Sequence, residues 1–68
     1  MNELFANIKE EVKLTAEQAW QIALAFNDPM SAANFLDCVI KSFEFLYTEE
    51  EIEFLRFYFK MQMEMMKK

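Results

Sequence analysis

Glycine occurs nowhere in this chain of 68 residues, histidine is equally absent, and proline occurs once. These absences bear on chemistry first. A phosphate-cradling loop, a nucleophile elbow and a dinucleotide-binding turn each need glycine where the backbone bends sharply or meets a ligand closely. Without histidine the commonest general base and a frequent metal ligand are missing as well. The sequence therefore reads as a non-enzyme with no cofactor and no metal site, and its information is architectural.

A chain of this length makes one domain, residues 1–68, and at about 60 residues only ~60% of the surface exposed by the unfolded chain is buried on folding. Eight Phe, six Met, two Tyr and one Trp are more bulk than so small a core encloses. The surplus is expected on an exposed apolar patch or in an oligomer interface. Twelve acidic against seven basic residues give a net charge of −5, which argues against direct binding of nucleic acid, where lysine and arginine neutralise phosphates. Cys38 has no second cysteine to pair with, so a reducing cytoplasm is the expected compartment. Charges interrupt every apolar run, and none reaches the ~18 uncharged residues of a membrane span. The chain is expected to be soluble and unprocessed, with no membrane contact.

Helix-start signals divide the sequence. Thr15-Ala16-Glu17-Gln18 has the form of a capping box, and Thr48-Glu49-Glu50-Glu51 is a better copy, with Tyr47 and Ile52 placed as a hydrophobic staple. Asp28-Pro29 supplies an N-cap followed by proline at the first helical position. These signals predict an all-α fold of four helices, about 3–13, 16–27, 29–47 and 49–67. The last two should form a long antiparallel hairpin, with the two shorter helices packed across it.

The apolar faces differ in width when placed at 100° per residue. The first segment has a narrow stripe of Met1, Leu4, Phe5, Ile8 and Val12. The second is broad, running over Ala16, Ala19, Trp20, Ile22, Ala23, Leu24 and Phe26, with three alanines that let another backbone approach and Trp20 as a core anchor. In the third, Ala33, Leu36, Ile40, Phe43 and Tyr47 make a bundle seam flanked by Phe35, Val39 and Leu46. The fourth has two adjoining faces: Ile52, Leu55, Phe59, Met63 and Met66 on one side, and Phe54, Tyr58, Met61 and Met65 on the other. One neighbour cannot cover both.

Candidate functional residues follow from that excess. Phe54, Tyr58, Met61 and Met65, with Phe57 and Phe45 among polar neighbours, are the expected protein interface, and a symmetric homodimer is the simplest way to cover them. Met61, Met63, Met65 and Met66 have a spacing that soft thioethers can use around Cu(I), but on a helix they diverge, which fits adaptable packing better. Glu49, Glu50, Glu51 and Glu53 form an acidic patch whose first explanation is helix capping and dipole compensation. Its second is contact with a basic partner, and a divalent-metal site comes last. Asp37, Lys41 and Glu44 offer helical ion pairs, and Cys38 lacks a base that would make it a thiolate.

In size, acidity and helical composition the chain is similar to small accessory and inhibitory proteins of phages and other bacterial mobile elements. The likeness rests on no motif and assigns no residue a role. It implies a non-enzymatic protein-binding module, a regulator or inhibitor acting through an apolar helix surface. Two alternatives stay open: a homo-oligomeric structural or assembly component, and an acidic mimic that blocks a DNA- or RNA-binding protein.

Overall fold

A computed structural model of the chain describes residues 8–66. Among these residues are three α-helices and no strand: α1 is Glu10–Leu24, α2 is Pro29–Phe43 and α3 is Glu49–Met66. Each helix packs against both of the others. The all-α expectation is met, whereas the four-helix division and the long C-terminal hairpin are not. With 15, 15 and 18 residues, α2 is no longer than α1, so no short pair lies across a long one.

The expected break at Thr15 is absent because nothing there stops a helix. The stretch Glu11–Gln18 contains neither glycine nor proline, and the buried stripe Val12, Ala16, Ala19, Ala23 crosses the position at helical spacing. Thr15 is an interior residue of α1, and its hydroxyl hydrogen-bonds the Tyr47 hydroxyl at 3.0 Å, 32 positions away. The first expected helix also does not run from 3 to 13: Lys9 is extended, at φ −63° and ψ 150°, and α1 begins after it without a side-chain cap. Met1, Leu4 and Phe5 lie outside the described residues. Ile8 is buried.

The two other start signals work as the sequence predicts. Asp28 accepts from the Ser31 backbone N–H at 3.1 Å and from the Ser31 hydroxyl at 3.0 Å, with Pro29 opening α2. At α3 the capping box closes in both directions. The Glu51 carboxylate accepts from the Thr48 backbone N–H at 2.8 Å, and Thr48 Oγ1 accepts from the Glu51 N–H at 3.3 Å.

The helix ends show what a glycine-free chain does instead of a left-handed cap. No described residue has a positive φ; where a terminal glycine would normally swing the backbone into the left-handed region, the last turns tighten. The N–H groups of Ala25 and Phe26 bond the carbonyls of Ile22 and Ala23 at 3.0 and 3.1 Å, and the Leu46 N–H bonds Phe43 O at 3.0 Å. These i to i−3 bonds satisfy carbonyls that an α-helix end leaves open. They also close α2 at Phe43, short of the expected 47, and place 44–48 in the connection to α3.

The core joins Val12, Ala16, Ala19, Trp20 and Ala23 of α1 to Leu36 and Ile40 of α2 and Ile52, Leu55 and Phe59 of α3. The three alanines lie inward, as expected, and Trp20 is buried beside them. Phe43 stacks on Tyr47 at 4.8 Å between ring centroids, and Phe26 meets Phe35 at 5.5 Å. Among the described residues Leu55 and Val12 are the largest side chains that are fully enclosed. Several expected core residues are exposed: Ile22 and Leu24 on α1, Phe26 just past its end, Ala33 on α2, Leu46 in the connection and Met66 at the end of α3. The broad face of α1 is thus covered over only part of its width.

Candidate interaction surface

α3 carries the two apolar faces that its sequence predicts. Ile52, Leu55 and Phe59 fill the core, with Met63 half-buried at their end. The adjoining face, Phe54, Tyr58, Met61 and Met65, runs along the same helix at spacings of three and four residues, with Phe57 one turn before Met61. Phe54 and Tyr58 are half-buried and pack against the core, their rings 6.1 Å apart, and Tyr58 meets Phe59 edge-on at 6.0 Å. Phe57, Met61 and Met65 are 46%, 45% and 63% exposed. Rigid rings anchored in the core thus form one margin of a strip whose other members face solvent.

Phe45, expected within the same interface, is placed elsewhere. Because α2 ends at Phe43, Phe45 sits in the connection and is 93% exposed. It borders a shallow depression of about 580 Å³ with Glu44, Tyr47, Glu49, Ile52, Glu53 and Arg56, a set that shares no member with Phe57, Met61 and Met65. The hydrophobic-staple residues Tyr47 and Ile52 both line this depression.

The acidic patch is smaller than its sequence suggests. Glu51 is only 6% exposed and holds the Thr48 cap, so it does not belong to an exposed patch. Glu49, Glu50 and Glu53 are exposed in the first turns of α3, where they offset the positive end of its dipole. Glu44, expected to pair with Lys41 along α2, instead meets Arg56 of α3 at 3.8 Å. Lys41 pairs with Asp37 at 3.6 Å, as the i,i+4 spacing predicts. Both pairs are exposed and add little stability.

The methionines divide between two surfaces. Met61 and Met65 belong to the exposed strip, while Met63 and Met66 border an apolar cleft of about 180 Å³ with Trp20, Ala23, Leu24, Phe26 and Pro29. Sequence reasoning missed this cleft; its signal was the i,i+3 pair Met63 and Met66 beyond the last core position of α3. Among the described residues no group of three or more His, Cys, Asp or Glu side chains is arranged to hold a metal ion. Cys38 is exposed with a free thiol, and no helix among these residues is long and apolar enough to cross a membrane.

One titratable group on the strip is perturbed. Burial, and secondarily the negative charge of Glu17 on α1, hold the Tyr58 phenol above its ordinary value. Comparison of the chain with protein-family models, with curated proteins and with solved structures gave no match.

Proposed function

We propose that this chain is a non-enzymatic protein-binding module, a small acidic regulator or inhibitor that lays the apolar strip of α3 on the surface of another protein. The observation that supports the reading is the strip itself: exposed Phe57, Met61 and Met65 beside core-anchored Phe54 and Tyr58. Large aromatic and methionine side chains are the types enriched in the cores of protein interfaces, and methionine adapts its shape to a partner groove at low cost. Self-association through the same strip is a second reading, favoured by the amount of apolar surface that three helices leave open. The acidic-mimic alternative draws instead on Glu49, Glu50 and Glu53.

The test is affinity capture from the source cell with the wild-type chain, Met61→Glu and Glu49→Gln/Glu53→Gln side by side. Under the proposed reading a stoichiometric partner is retained by the wild type, lost with Met61→Glu and kept by the double glutamine variant. Loss with the glutamine variant alone, reversed by competing DNA or RNA, would establish the mimic. Retention by all three would remove the strip from the function.

A further inference from the structure

We infer that residues 8–14, the start of α1 and the two positions before it, are a strap that opens as one unit while the rest of α1 stays in place, and that Thr15 is the cap of the opened form. The inference is independent of the docking role of α3. Three observations carry it. The first is an unequal hold along the chain: Ile8 and Val12 are the buried residues of the strap, whereas Ala16, Ala19, Trp20 and Ala23 fix the remainder of α1. Local opening is drawn from the parts with the fewest buried contacts. The second is the helix start. Among the described residues α1 begins after Lys9 with no side-chain cap, while α2 is capped by Asp28 and α3 by Thr48. A start without that bond lacks a partner for its first N–H groups and frays readily.

The third is that residues 15–18 carry a complete helix start inside α1. With the strap detached, Thr15 takes the N-cap position: its hydroxyl can accept from the Gln18 N–H, and the Gln18 side-chain oxygen can accept from the Thr15 N–H. Glu17 then stands in the first turn, where its charge offsets the helix dipole. Leu14, 54% exposed in the structure, precedes the cap at the position of a hydrophobic staple, with Ala19 as its partner. The Thr15 hydroxyl thus serves both forms. In the closed form it bonds the Tyr47 hydroxyl at 3.0 Å, tying α1 to the connection between α2 and α3. In the open form Thr15 leaves helical geometry and caps the shortened helix. Opening therefore exchanges one polar contact for another and stops at a defined residue. Exposure of Ile8 and Val12 keeps the open form minor; what it uncovers is the side of the core that Val12 closes to water.

The experiment is native-state hydrogen exchange of the full chain, read amide by amide by NMR at low urea concentrations. Lys13 and Leu14 should exchange at least about ten-fold faster than Trp20 and Ala23, through an opening that depends only weakly on urea because it exposes little surface. Protection should rise in one step at Gln18 and Ala19, the first N–H groups that the capped, shortened helix bonds. Gln18 is exposed and is helical in both forms, so Gln18→Ala removes the capping-box contact of the open form and leaves the core untouched. It should slow Lys13 and Leu14 several-fold. Tyr47→Phe weakens the closed form and should speed them several-fold.

Exchange of Lys13 and Leu14 at the rate of Ala23, with the same urea dependence, would overturn the strap, since the two would then open only in global unfolding. A gradual rise of protection across residues 13–20 would overturn opening as one unit. Unchanged or faster exchange of Lys13 and Leu14 in Gln18→Ala would overturn the assignment of Thr15 as the cap.

Discussion

At the scale of single residues the structure depends on a few polar contacts whose absence has calculable effects. Thr48 and Glu51 satisfy each other's backbone N–H groups, so Thr48→Ala should cost about 0.5–2 kcal/mol in urea unfolding, against a negligible change for exposed Glu50→Ala. Equal losses from the two would remove the cap from the stability of α3. The Thr15–Tyr47 hydroxyl contact is worth about 0.5–1.5 kcal/mol as an ordinary hydrogen bond. A double-mutant cycle with Thr15→Val and Tyr47→Phe should return a coupling of that order, and additive losses would show that the hydroxyls do not cooperate.

Tyr58 carries the pH dependence on the strip. Its folded-state value lies above the unfolded 10.0 because burial, and then Glu17, disfavour the phenolate. Its contribution is therefore fully present below pH 10 and is lost as pH rises through the folded value. Wild type should lose stability relative to Tyr58→Phe between pH 9 and pH 11, and Glu17→Gln should lower the titration midpoint read by ultraviolet absorbance.

At the scale of elements, α1 differs most from the sequence reading. A capping box states that a helix is able to start; it does not state that the preceding one has ended. Both sides of Thr15 have good helix formers, and the stripe from Val12 to Ala23 needs a continuous helix to stay buried on one face. Ala16→Pro distinguishes the two arrangements. At the first position of a helix proline is tolerated, whereas within α1 it removes a hydrogen bond and clashes with the preceding turn, at about 3 kcal/mol or more. Loss of cooperative thermal unfolding is the expected outcome; retention of the wild-type midpoint would restore the break. The α2–α3 connection should be tolerant by contrast, and Phe45→Ser, at a side chain 93% exposed, should change stability by no more than about 0.5 kcal/mol.

At the scale of the whole molecule, a core in which two large side chains among the described residues are fully enclosed has little redundancy. Leu55 is one of them, at 0% exposure, and Leu55→Ala should cost about 2–5 kcal/mol through lost transfer energy and the cavity left behind. For a domain of this size that is a large share of total stability, so calorimetry should show a transition displaced far downward or absent. The strip variants should behave differently: Met61→Ser touches a side chain 45% exposed and should leave the transition nearly unchanged while weakening partner binding. Core packing and the proposed docking role are thus separable on adjoining faces of one helix.

The sequence by itself determined the helical class, the caps at Asp28 and Thr48, the two faces of α3, the buried Trp20 and the inward alanines. Each follows from local chemistry: a short polar side chain beside an N–H, or a periodicity of three and four residues that the helix fixes before any packing occurs. It did not determine that α1 runs through Thr15, that α2 stops at Phe43, that Glu44 turns to Arg56, or which part of an apolar face is covered. Those outcomes depend on residues distant in sequence, such as Tyr47 against Thr15 and Arg56 against Glu44. A wheel of one helix shows what is available for burial; only the positions of the other two helices decide what is buried and leave Phe57, Met61 and Met65 facing water.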